Sequence, residues 1–196
     1  MGEFNIYFGL GTHHILNLDA KDHLLFVAAL CLRYQLKDWK KVAVLVTAFT
    51  IGHSITLALT ATGAVHINKT WIEFLIPVTI IVTAFNNLLQ RREQVEHPSR
   101  LPLIYFFALF FGLIHGMAFG SDLRSLMTRE EVIIPLLAFN LGIEAAQLLV
   151  VALFLLISFI FVQLLRAPRI GWMRIASVII LLWSMQMAWE RWPTHH

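Results

Sequence analysis

The chain alternates long apolar runs with short polar breaks, and the length of the runs sets the first expectation. A helix crossing ~30 Å of hydrocarbon at ~1.5 Å per residue needs about 20 mostly apolar residues, with ~17 as the lower limit. Six runs qualify, spanning residues 14–34, 42–64, 71–89, 103–119, 132–165 and 171–189. The fold class expected is therefore all-α, an integral membrane helical bundle with about six transmembrane helices. The fifth run corresponds to ~50 Å of helix, so it must tilt strongly, kink or project from the bilayer. The first run is long enough only if the polar cluster "HHILNLDAKDHLLF", residues 13–26, lies inside it. The preceding "MGEFNIYFGLG" lacks a basic segment followed by a small-residue cleavage site, so it reads as an interfacial or re-entrant segment rather than a signal peptide. No Pro/Gly/Ser-rich linker divides the chain, which predicts a single transmembrane domain over residues 1–196.

Composition agrees with this class. Charged residues make up 14% of the chain and apolar residues 58%, with a mean hydropathy of +0.72, whereas soluble domains carry about a quarter charged residues. The net charge of +3 does not point to nucleic acid, because the basic residues are dispersed among the loops and form no basic face. They act instead as topology determinants. Ten fall on one side of the bundle, Arg33, Lys37, Lys40, Lys41, Arg91, Arg92, Arg100, Arg166, Arg169 and Arg174, against five on the other, Lys21, Lys69, Arg124, Arg129 and Arg191. The excess predicts both termini outside the cytoplasm, in a bacterial inner (cell) membrane. Trp71, Trp172, Trp189 and Trp192 stand at span ends, as interfacial anchors do. The single cysteine, Cys31, excludes an intramolecular disulfide and a cysteine-based metal site.

With this orientation the polar residues inside the spans fall into a layer. Counted from the outer end of each span, His23 lies ~13 Å deep, His53 ~16 Å, His115 ~6 Å, Asn140 ~12 Å and Glu144 ~18 Å. Facing lipid, each would cost several kcal/mol, so they are expected to turn inward and find partners. Asp19 and His23 share a face at i, i+4, as do Asn140, Glu144 and Gln147 at i, i+4, i+7. Neutral imidazole is the commonest metal ligand, and carboxylates are its usual companions or orienters. His14, Asp19, Asp22, His23, His53, His115 and Glu144 are therefore the candidate metal ligands. They form a nitrogen/oxygen set suited to Ni, Co, Zn or Cu(II). The structural alternative is that these histidines only tie helices together through backbone carbonyls and carboxylates. Three of them on different spans at similar depth favour metal or proton chemistry. His66 and His97 read as solvated loop residues, and His195 and His196 as a tail. Glu73, Asn87 and Asp122 read as residues of the span ends or the mouth of the site.

Four segments carry a family resemblance in order along the chain. "HHILNLDAKDHLLFVAAL", "FTIGHSITL", "FGLIHGMAFG" and "FNLGIEAAQL" resemble the HupE/UreJ family, specifically its second branch of small bacterial membrane proteins, from about Phe4 to Trp189. The resemblance implies a connection with hydrogenase and urease accessory functions, and so with nickel or cobalt uptake. Nickel/cobalt permeases carry a His-x4-Asp-His signature in an early span. Asp22 and His23 match its last two positions, while its first falls on Asn17, so His13 or His14 would have to supply that ligand. The function expected is a membrane-embedded divalent transition-metal permease, its partners being the metal ion, the lipid bilayer and possible further copies of the chain. The alternative is an intramembrane zinc-dependent hydrolase, in which three histidines hold Zn, Asp22 or Glu144 acts as general base and Ser54 contacts substrate.

Overall fold

Helices form at all six apolar runs, and the first run is divided in two. The computed structural model describes residues 2–17, 21–65, 67–92, 102–126 and 133–193. Seven α-helices are seen among them: α1 (Glu3–Leu16), α2 (Lys21–Cys31), α3 (Trp39–Ala61), α4 (Lys69–Leu88), α5 (Pro102–Leu126), α6 (Ile133–Phe159) and α7 (Arg169–Glu190). The stretches Leu36–Ala61, Lys69–Leu88, Ile133–Leu164 and Arg169–Glu190 are long and apolar enough to cross a membrane, and Ile104–Gly120 is a shorter apolar helix. The chain is a multi-pass, all-α membrane protein. Asp19, His66, His97, Arg100, Arg129, His195 and His196 lie outside the described residues.

The single helix expected over residues 14–34 is not observed. Helix α1 stops at Leu16, Asn17 has extended backbone (ψ 120°), and α2 begins at Lys21. An asparagine competes for local backbone hydrogen bonds and so favours helix ends, whereas a count of apolar residues is blind to such a break. The 11-residue α2 rises only ~16 Å and cannot span hydrocarbon alone. Every residue from Leu25 to Cys31 is buried, so α2 is a core helix enclosed by its neighbours. At the long fifth run, α6 opens into a π-helical turn at Ile160–Leu164, and the chain then turns at Arg166 in the left-handed region (φ 54°).

Close packing sets the helix directions. Gly112, Gly116 and Gly120 form an i, i+4, i+8 stripe on α5, and a Cβ at any of them would strike α3, at Phe49 and His53 backbone or at the Thr60 side chain. Gly52 of α3 meets the Leu109 carbonyl in return. Residue numbers rise together along both helices, so α3 and α5 run parallel at small-residue contact distance, which in a bilayer lets backbones approach and pack. Gly11 of α1 sits against Phe139 and Gly142 of α6 against Phe8, which makes that pair antiparallel. Helices α4 and α7 are antiparallel too, with the Phe74 and Trp192 rings 5.0 Å apart. The end of α1, the start of α2, the start of α4 and the end of α7 consequently gather at one end of the bundle.

Candidate metal centre

Three histidines from three helices converge near that end. His14 lies in the last turn of α1, His23 in the first turn of α2 and His53 past the middle of α3. One ligand atom from each lies within 4.8 Å of the other two. The His14 ring centroid is 4.6 Å from that of His23 and 5.9 Å from that of His53. His53 is fully enclosed at 0% exposure, and His23 is buried at 5%. The break after Leu16 makes this arrangement possible, because it lets α1 run up and α2 run down with His14 and His23 facing each other.

The polar atoms here lack protein partners. His14 Nε2, both ring nitrogens of His23 and both ring nitrogens of His53 are buried without a hydrogen bond. Leaving a buried polar atom unpaired costs about 1–3 kcal/mol, so a cluster of them is unfavourable unless something else bonds to it. Three converging imidazoles fit a borderline divalent ion of the Ni, Co, Zn or Cu(II) group, and all-imidazole donor sets do not suit Mg or Ca.

A carboxylate supports the set from behind. Asp22 Oδ1 lies 3.3 Å from His23 Nδ1 and accepts the His23 backbone N–H at 3.0 Å. Its other oxygen, Oδ2, accepts from Arg191 Nη1 at 3.1 Å. The carboxylate stands within 3.3 Å of Nδ1 without a hydrogen bond to it; its negative charge favours the ring proton on that side, which leaves Nε2 as the free lone pair, as behind a ligating histidine. Asp22 thus orients His23. Arg191 also reaches the Glu73 carbonyl at 3.5 Å, which ties the end of α7 and the start of α4 to the same carboxylate.

His115 flanks the triad, with its ring 5.3 Å from His23, 5.2 Å from Phe26 and 5.1 Å from Phe49. Its Nε2 is 3.1 Å from Thr79 Oγ1, whose hydroxyl lies 2.7 Å from the Ile76 carbonyl. With the hydroxyl proton assigned to that carbonyl, Nε2–H of His115 is the donor and Nδ1 holds the lone pair. Nδ1 is buried and unpartnered.

The remaining expected residues lie apart. Glu144 accepts from the exposed side of α3, Thr47 Oγ1 to Oε1 at 2.6 Å, six residues or ~9 Å of rise from His53. Gln147 on the same face accepts from Thr50 Oγ1 at 2.7 Å, so Glu144 and Gln147 of α6 meet two threonines of α3, while Asn140 Oδ1 is buried without a partner. Ser54 donates to the Thr50 carbonyl at 2.7 Å. Asp122 pairs with Lys69 at 2.9 Å at the rim. Asp19 is outside the described residues. Arg191 and Thr79, which contact Asp22 and His115, carry little signal in the sequence. Arg191 stands 169 positions from Asp22, and the only signal for it was an arginine beside the belt residue Trp192. Thr79 had none beyond being a hydroxyl within an apolar span.

The model of the family described as HupE / UreJ protein matches residues 1–191. No curated protein and no solved structure matches the chain.

Proposed function

The chain belongs to the HupE/UreJ family, and from that premise we propose that it is a permease for a divalent transition-metal cation of the nickel and cobalt class, captured as cargo by His14, His23 and His53. The observation that supports this reading most is the convergence of three buried imidazoles within 4.8 Å. The family name, the absence of thiolates from the ligand set and the carboxylate behind His23 agree with it. The lysine and arginine bias supports an orientation with the histidine end outward, so the ion would be met from outside the cell. His115 is a second nitrogen donor on the inward flank, reached after the triad. The zinc hydrolase alternative has weaker support, since the Ser54 hydroxyl is engaged by the Thr50 carbonyl and Glu144 sits beside Thr47, ~9 Å of helix rise from His53.

The test is uptake by the full chain in proteoliposomes, with Ni²⁺ or Co²⁺ outside and a metal-quenched dye inside. Wild-type protein is expected to quench the dye, and His53→Ala is expected to abolish quenching while the protein stays monodisperse in detergent. Equal quenching by wild-type and protein-free vesicles for both ions would overturn the permease reading.

A further inference from the structure

A second feature lies at the opposite, basic end of the bundle. Helices α2, α4 and α5 enclose a cavity of about 490 Å³, within the ~300–1,000 Å³ span of small-ligand sites. Its wall is mostly apolar, with the buried Ala108 at its back and Phe111 at its inner limit. Its rim is formed by residues of the bundle's outer surface, Val82, Phe85 and Phe107, each at least 44% exposed. The cavity therefore opens sideways toward the hydrocarbon as well as toward the interface.

Arg33, Gln90 and Asn87 are among the polar side chains in this wall. The Arg33 guanidinium donates from Nη2 to Gln90 Oε1 at 3.0 Å. Among the described residues, no carboxylate pairs with Arg33 or lines the cavity. Arg33 is held in place by its own carbonyl, which accepts from Arg169 Nη2 at 2.7 Å. Asn87, 1% exposed, spends its Nδ2 on the Ala29 carbonyl at 2.8 Å and keeps Oδ1 buried without a partner. A guanidinium has five N–H donors in a planar fork that matches phosphate, and one neutral acceptor leaves most of them unused.

We propose that this cavity between α2, α4 and α5 is a binding site for an anionic phospholipid, one acyl chain lying in the apolar cavity and the phosphate on Arg33. The lateral opening admits a chain from the bilayer, and the juxtaposition of Arg33 with the basic loops favours an anionic headgroup at this surface. The acyl chain gains little by leaving lipid for an equally apolar wall, so selectivity rests on the headgroup. The inference is independent of the metal reading, because it uses none of the histidines and lies beyond the aromatic layer of Phe26, Phe49 and Phe111.

The test is native mass spectrometry of the full chain in mixed micelles containing equal amounts of phosphatidylglycerol and phosphatidylcholine with identical acyl chains. One phosphatidylglycerol is expected to be retained per chain, with a preference over phosphatidylcholine of roughly tenfold, the scale of one charge-assisted contact. Arg33→Gln is expected to bring the ratio to about one, and Arg33→Lys, which keeps the charge and loses the fork, to keep a preference for the anionic lipid while retaining less of it. Equal retention of the two lipids by wild-type protein, or an undiminished preference in Arg33→Gln, would overturn the proposal. If Arg33→Gln does not fold, the amount of phosphatidylglycerol retained by Arg33→Lys decides: less than wild type supports the site and an equal amount refutes it.

Discussion

Replacing Asp22 by asparagine perturbs the supporting carboxylate without touching the three converging imidazoles. In the native protein Oδ1 faces His23 Nδ1 at 3.3 Å and Oδ2 holds Arg191 at 3.1 Å, with the side chain only 8% exposed. The asparagine amide keeps the shape but removes the charge. It also brings an N–H₂ donor that can face Nδ1, which would shift the imidazole proton to Nε2 and remove the ligating lone pair. Loss of a carboxylate behind a ligating histidine weakens metal binding by roughly 10- to 100-fold, equivalent to about 1.4–2.7 kcal/mol. The Arg191 end contributes less, because that guanidinium is 30% exposed and can turn to water. Titration calorimetry of purified protein with Ni²⁺ measures the change directly, with Arg191→Gln as a milder companion. An Asp22→Asn affinity equal to that of wild type would refute the assignment of Asp22 as the residue that sets His23.

Other substitutions test neighbouring parts of the account. His53→Ala should eliminate Ni²⁺ binding, whereas His115→Ala and Thr79→Val should each lower affinity by no more than about tenfold, since the flanking ring acts beside the triad; equal losses in calorimetry would place His115 within the triad itself. Gly116→Ala puts a Cβ against the His53 carbonyl and the Thr56 hydroxyl, and should destabilise the protein by about 1–3 kcal/mol or more, because backbone yields poorly. Gly171→Ala, whose new Cβ would meet only the Pro168 side chain at 3.7 Å, should leave the unfolding temperature in detergent unchanged. Thr50→Val breaks the bond to Gln147 and should cost about 1 kcal/mol, near the measured range for interhelical bonds in membranes; a larger loss in a denaturant titration would show that the Gln147 carbonyl finds no replacement partner.

Much of the membrane architecture was legible because hydrocarbon imposes it. A bilayer requires long apolar helices with internally satisfied backbones, so run length alone identified the helices now seen as α3 to α7. The reversal between α1 and α2 was hidden by the same property, since both flanks of Asn17 are apolar and an apolar run does not disclose its direction. The parallel pairing of α3 with α5 was not visible, because the stripe of Gly112, Gly116 and Gly120 only becomes meaningful against Phe49, His53 and Thr60. At the site, depth along each span brought His23, His53 and His115 to one layer. Depth does not distinguish one side of a helix bundle from another, so Glu144, at a comparable depth, faces Thr47 instead. The roles of Arg191 and Thr79 depend on contacts between distant parts of the chain, which one sequence does not display.

The central claim is that one divalent transition-metal ion is held by the imidazoles of His14, His23 and His53. X-ray absorption spectroscopy of Ni²⁺-loaded full-length protein tests it most directly, because imidazole rings give a multiple-scattering pattern that oxygen ligands lack. A shell with about three imidazoles, falling to about two in His14→Ala, is the expected result. An oxygen-only shell, or a spectrum unaltered by His14→Ala, would contradict the assignment.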